Sequence, residues 1–300
     1  MDTLTLKQLR YFDALARHGH FGRAADACAI SQPALSMQIR EMERTLGAAL
    51  VERGARTARL TGFGEAFAPR ARAILQAVDE IGDFARAAQA RLAGRLRLGV
   101  IPTVAPYLLP RIVGALLREN AGIDLHVRET VTLKLIAELA ERRLDAAIVA
   151  LPVSEATLDE IALFTEEFVL VRPAADADKP APRPEALRDM RLLLLEEGHC
   201  FRDQALAFCA LQSASPRELL DASALSTLVQ MVGAGIGVTL IPEMAVAVET
   251  RSAPVCVTRF DAPRPSRTIG MVWRRNSPLT AQFMRIADVV RRCAGAGRTE

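Results

Sequence analysis

The chain has 300 residues, half of them hydrophobic and 24% charged, with a formal net charge of +3, and that length can hold two or three compact units with sizeable cores. No apolar run approaches the roughly 18 residues of a membrane span, and Met1 to Arg10 lacks the apolar core of a signal peptide, so a cytoplasmic protein with no membrane partner is expected. Five scattered cysteines, Cys28, Cys200, Cys209, Cys256 and Cys293, exclude a secretory disulfide framework, and no CxxC or HxxxH spacing occurs, so neither metal nor cofactor is expected.

A net charge this small does not demand a nucleic-acid partner, but its placement points to one. Residues 1–60 hold nine Lys or Arg against six Asp or Glu, a surplus equal to that of the whole chain. Thr5 with Gln8 forms a capping box, and Leu6, Leu9, Phe12 and Ala16 make a helical stripe to Arg17. A second helix runs from Phe21 to Cys28. After a turn at Ala29-Ile30, Ser31 is a suitable N-cap and Pro33 is tolerated in the first turn. The third helix buries Leu35, Ile39, Met42 and Leu46, which leaves Gln32, Ser36, Gln38 and Arg40 outward. Two short helices joined by a tight turn have the form of a helix-turn-helix, and amide and guanidinium groups suit bidentate contacts with purine edges. A bundle with a solvated polar face would give the same pattern. Arg53, Arg56 and Arg59 cluster beyond the third helix, as a phosphate-contacting end would.

From Gly64 to Arg91 the spacing predicts one long helix, in which Phe67, Ala71, Ile74, Val78, Ile81, Ala85 and Ala88 follow alternating steps of four and three. That heptad seam is the pattern of a coiled-coil pair, although an amphipathic helix packed on its own domain shows a similar stripe. Pro69 and Gly82 argue against perfect regularity.

Beyond Gly94 the period changes. Leu96, Leu98 and Val100 alternate as a strand, Leu108 to Leu117 is helical, Ile123 to Glu129 is a strand, Leu133 to Arg142 a helix and Leu144 to Leu151 a buried strand. This order predicts a doubly wound α/β sheet with its ligand at the carboxyl ends of the strands, where Thr103 and Thr132 fall. Glu166 to Arg172 reads as a crossing into a second unit. There, strands are expected over Leu192–Leu195 and Val238–Ile241, with a helix over Ser223–Val232. Thr268 to Trp273 returns as a late strand, preceded by Arg267, and Leu279 to Arg292 closes as a helix.

The stretch from Leu195 to Cys209 sets His199-Cys200 at a strand-to-helix turn, with Arg202 one turn on. A thiol reacts as thiolate, and neighbouring cations and a helix N-terminus favour the anion, which makes Cys200 the attacking sulfur. Were residues 200–209 one helix, the sulfurs of Cys200 and Cys209 would sit roughly 13 Å apart on opposite faces, beyond the ~7 Å between Cα atoms that a disulfide tolerates. A pair of inert, buried cysteines is the alternative reading.

Residues 5–65 resemble the winged helix-turn-helix of the LysR-type transcriptional regulators: Phe21-Gly22-Arg23-Ala24-Ala25, Ser31-Gln32-Pro33-Ala34-Leu35-Ser36, and Leu50-Val51-Glu52-Arg53-Gly54-Ala55-Arg56 up to Leu60-Thr61. Val51 departs from the Phe common there. The resemblance implies that Gln32, Pro33 and Ser36 face the bases, flanked by Ser31, Gln38 and Arg40, while Arg53 and Arg56 form a wing on the phosphates.

The rest of the chain resembles that family's sensing domain, a periplasmic-binding-protein-like fold. The stretches Val100 to Pro110, Leu195 to Cys209 and Arg267-Thr268-Ile269-Gly270 are similar to its hydrogen-peroxide-sensing branch, although Phe201 departs from an expected Leu. The resemblance implies that peroxide oxidises Cys200, which then forms a disulfide with Cys209. It also implies that Thr103, Thr132 and His199 position the peroxide and that Arg267 stabilises the thiolate.

The resulting expectation is an all-α-dominated winged helix-turn-helix head over residues 1–63, a dimerising linker helix over 64–93, and a two-lobed α/β regulatory domain over 94–300. Lobe I spans about 94–166 plus 267–300, and lobe II about 167–266. The implied partners are double-stranded promoter DNA, RNA polymerase and further copies of the chain as a homodimer and homotetramer, in a nucleoid-associated protein that is not an enzyme. Two rivals are a regulator that binds a small organic effector between the lobes, and a thiol enzyme using Cys200 and His199. The enzyme leaves residues 1–65 unexplained, and adjacent residues on a turn rarely align a base with its neighbour's sulfur.

Overall fold

The computed structural model describes residues 4–52, 58–87, 94–183, 186–187, 190–208 and 221–296. They fall into two units, residues 1–85 and 86–300.

In the first unit the Thr5 hydroxyl accepts from Gln8 N (3.2 Å) while Gln8 Oε1 accepts from Thr5 N (3.0 Å), opening α1 (Leu6–His18) with the expected capping box. Gly19, at φ 59°, ends it. Helix α2 (Phe21–Ala27) leads through Ala29, at φ 52°, to Ser31, whose hydroxyl accepts from Ala34 N (3.3 Å) and caps α3 (Gln32–Leu46). Phe12, Leu15, Leu35, Ile39 and Met42 form one core with Leu50 and Val51. Glu43 Oε1 accepts from the amides of Leu50 (2.8 Å) and Val51 (3.1 Å), and an antiparallel bridge joins Val51 to Leu60. Arg53 and Arg56 lie outside the described residues.

Helix α4 (Gly62–Ala87) runs through Pro69 as one element. It passes so close to the preceding segment that a Cβ on Gly64 would lie 2.2 Å from the Leu50 carbonyl oxygen, which only glycine avoids. Of the predicted seam, Ala71 is buried and Phe67 packs edge-on to Phe12 at 5.5 Å, but Ile74, Ile81 and Ala85 are exposed and Ala88 lies outside the described residues. The head therefore uses only the first part of the stripe.

In the second unit, β1 (Gly94–Val100), α5 (Ala105–Glu119), β2 (Ile123–Glu129), α6 (Thr132–Ala140) and β3 (Ala146–Leu151) make the predicted βαβαβ order. Next come β4 (Leu158–Pro173), β5 (Leu192–Leu195), α7 (Cys200–Phe208), β6 (Asp221–Ala222), α8 (Leu225–Gly233), β7 (Val238–Pro242), α9 (Val246–Glu249), β8 (Val255–Thr258), β9 (Ser266–Arg274) and α10 (Thr280–Gly295). Strands β1, β2 and β3 are parallel, β9 joins β3 antiparallel, and β4 pairs antiparallel with β9.

The predicted crossing at Glu166 to Arg172 is the second half of the 16-residue β4. Residues 158–167 of β4 pair with β9, whereas residues 168–173 pair with β7 or β8, so one continuous strand serves both lobes. Its alternating pattern gives way at Phe168–Val171 to a run buried on both faces, which hides the strand from a period-two reading. Two cores result. Leu98, Ile112, Leu139, Ile148, Met271 and Phe283 belong to one; Val169, Leu193, Phe201, Val229 and Ile241 belong to the other. Among the described residues no helix is long and apolar enough to cross a membrane.

Candidate functional site

The four leucines of β5 are buried, and the chain leaves the strand's carboxyl end with Glu196 N donating to Ala222 O (3.0 Å). Gly198, at φ 93°, makes the turn in a conformation that a side chain would strain. A Cβ there would come 3.9 Å from Val131 of the other lobe, directly before α6. Cys200 then opens α7. It is half-buried, is not in a disulfide, and packs against the core of β1, β3 and β9 although β5 belongs to the opposite lobe. Cys209 lies outside the described residues.

Two of the three influences expected to favour the thiolate are engaged elsewhere. The buried Arg202 turns away from Cys200: its Nη1 donates to Leu195 O (2.7 Å) and to Asp221 Oδ1 (2.6 Å), which compensates its charge and ties α7 to β5 and β6. Burial holds His199 below its ordinary pKa, opposed by the nearby Glu196 carboxylate, so the imidazole is neutral at neutral pH. The helix N-terminus remains, with Cys200 as the first residue of α7.

Thr103, just past β1, is buried and meets Arg267 on β9: Nη1 donates to Thr103 Oγ1 (2.7 Å) and Nη2 to Thr103 O (3.0 Å). The Arg267 side chain is fully buried and ion-paired with Glu166, Nη2 lying 2.6 Å and Nε 2.7 Å from Oε1. Its guanidinium carbon sits 5.3 Å from the centre of the Phe201 ring, which packs edge-on to Phe168 at 4.9 Å. In this conformation Arg267 reaches the residue next to Cys200, but its charge is committed to Glu166 and Thr103 rather than to the sulfur. The Thr132 hydroxyl oxygen is buried with no hydrogen-bond partner among the described residues. The fold thus brings Thr103 to Arg267 and sets Val131, the residue before Thr132, against the Gly198 turn. The sequence does not single out Glu166 as a site residue, because its register opposite Arg267 becomes visible only once β4 is known to be a strand.

On α3, Ser31, Gln32, Pro33 and Arg40 are exposed, and Ser36 and Gln38 are half-buried. Met37, 61% exposed on the same helix, is an outward side chain that a hydrophobic stripe does not identify.

Residues 6–65 match the family model described as "Bacterial regulatory helix-turn-helix protein, lysR family", and residues 89–294 match "LysR substrate binding domain". A "Probable hydrogen peroxide-inducible genes activator" of Streptomyces viridosporus is 43% identical over 96% of this chain and 93% of its own length. The "DNA-binding transcriptional dual regulator OxyR" of Escherichia coli K12 is 38% identical over 96% and 95%. Among solved structures, a full-length OxyR variant from Pseudomonas aeruginosa has a TM-score of 0.73 at 37% identity, covering 96% of this chain and 98% of its own. A hydrogen-peroxide-bound OxyR mutant from Corynebacterium glutamicum has a TM-score of 0.68 at 34% identity, covering 98% and 93%.

Proposed function

This chain belongs to the LysR family of bacterial helix-turn-helix regulators, and from that premise we infer that it is a hydrogen-peroxide-sensing transcription regulator of the OxyR type. Residues 1–63 bind promoter DNA through α3 and the wing, residues 64–93 pair two chains, and residues 94–300 sense the oxidant in two lobes. Cys200 is the sensor. Its thiolate attacks one peroxide oxygen, the S–O bond forms as the O–O bond breaks, and the other oxygen leaves as hydroxide and takes up a proton to become water. The Cys209 sulfur then displaces hydroxide from the sulfenic acid, so two thiols and one peroxide give a disulfide and two waters.

The observation that carries this reading is the seat of Cys200: a half-buried thiol at the start of α7, on one lobe and packed against the core of the other. A covalent change there acts on both lobes at once, and with α7 tied down by Arg202, a link to Cys209 requires the helix to repack. The repacked domain reorients the dimer, and within a tetramer of two dimers it alters how the heads meet DNA and RNA polymerase.

Peptide mass mapping of the peroxide-treated full-length protein is expected to find Cys200 linked to Cys209, and Cys200→Ser is expected to abolish peroxide-driven transcription. A normal response from Cys200→Ser would overturn the redox reading in favour of an organic effector.

A further inference from the structure

The family resemblance points to Thr103, Thr132, His199 and Arg267 but not to Glu166, which is buried at the join of the lobes. It lies on β4 just before that strand passes from pairing with β9 to pairing with β7, and its register partner on β9 is Arg267. A buried carboxylate persists only when paired and hydrogen-bonded, and Glu166 Oε1 takes both Nε and Nη2 of Arg267.

That grip sets the plane of the guanidinium, and the Phe201 ring beneath it restricts tilting. Nη1 is left aimed at Thr103 Oγ1. A guanidinium only donates, so Thr103 Oγ1 is the acceptor of this bond, and the threonine's own proton must be donated elsewhere. The polarity of the Thr103 hydroxyl is thus imposed by Arg267, whose orientation is imposed by Glu166. Accepting a charge-assisted hydrogen bond also makes that hydroxyl a stronger donor.

We propose that Glu166 is a positioning residue for peroxide reduction: acting through Arg267, it holds the Thr103 hydroxyl as a hydrogen-bond donor to the oxygen that leaves when the O–O bond breaks. This rests on Cys200 being the thiol that peroxide oxidises. The reaction is unchanged in its balance: sulfur gains one oxygen, and the other departs as hydroxide, is stabilised by the Thr103 hydrogen bond, and becomes water.

The test follows thiol consumption after rapid mixing of the full-length reduced protein with hydrogen peroxide, in the wild type, Glu166→Gln, Glu166→Asp, Thr103→Val and both double variants. Glu166→Gln is expected to lower the second-order rate constant about tenfold, the scale of one well-placed hydrogen bond. Glu166→Asp keeps the charge with a shorter reach and should lose only about threefold. On the Thr103→Val background, where the hydroxyl is already gone, either Glu166 change should cost less than about twofold. A purely structural role would cost the same factor on both backgrounds, and that result, or wild-type rates in the Glu166 variants, would overturn the proposal. Should Glu166→Gln fail to fold, the Glu166→Asp pair decides by the same criterion. A wild-type protein whose Cys200 ignores peroxide would instead remove the sensing reading itself, and this proposal with it.

Discussion

The phenol of Tyr107, in the first turn of α5, donates a 2.6 Å hydrogen bond to Oε1 of Glu249 at the end of α9, joining one lobe to the other. The Tyr107 ring packs against the core of the lobe that carries Cys200, although α5 itself covers the opposite core. Burial, together with the Glu249 hydrogen bond and charge, pushes the phenol's pKa well above its ordinary value. The unfolded chain therefore releases this proton first, so the bond's contribution is whole below about pH 10 and declines as pH rises beyond it. Tyr107→Phe is expected to cost about 1–2 kcal/mol at pH 8, since the bond is partly buried and its acceptor charged. In denaturant titrations of the full-length protein the gap should narrow above pH 10; a gap that stays constant to pH 11 would contradict this.

The depressed pKa of His199 carries the opposite pH signature. Below its unfolded pKa of about 6.5, the unfolded chain binds a proton that the buried imidazole resists, so stability is whole above that pH and falls as pH drops toward the folded value. His199→Gln removes this linkage. Between pH 7.5 and 5 the variant should lose less stability than the wild type in urea titrations, and parallel losses would show that His199 is not the group responsible.

Gln32 and Met37 stand exposed on α3, where a recognition helix meets bases. Gln32→Ala is expected to weaken binding to a preferred sequence by about 1–3 kcal/mol while leaving the salt dependence unchanged, since a base contact releases no counterions. Met37 offers an apolar surface to a thymine methyl group. Replacing thymine by uracil within the preferred site should weaken the wild type at one position or more and leave Met37→Ala indifferent there. Fluorescence anisotropy on a site selected from random duplexes reads both, and a salt slope altered by Gln32→Ala would reassign that side chain to the phosphates.

Ile81 and Phe84 of α4 are 70% and 72% exposed. An apolar stripe this open on a helix with a heptad repeat predicts pairing with a second copy. Ile81→Asp should shift the full-length protein toward monomer in sedimentation velocity while leaving its helix content near that of the wild type. An unchanged sedimentation coefficient would place the dimer contact elsewhere.

Much of the fold could be read from local patterns because local chemistry enforces it. The Thr5–Gln8 box, the Ser31 cap with Pro33 behind it, and the alternation of Leu96, Leu98 and Val100 each work within a few residues. The double role of β4 could not be read this way, because Phe168 to Val171 is buried on both faces and loses its period. The short strands β6 and β8 and the four-residue α9 offer too few residues for any period to register.

For Cys200 the sequence alone determined the turn, the helix it opens and its nearness to His199 and Arg202. Only tertiary structure decided what those neighbours do. Arg202 is drawn to Asp221, His199 is neutralised by burial, and Arg267, distant in sequence, is oriented by Glu166 onto Thr103. The physical reason is that helix caps and stripes are satisfied by groups a few residues apart, whereas a buried charge is governed by whichever partner the strand pairing brings within about 3 Å.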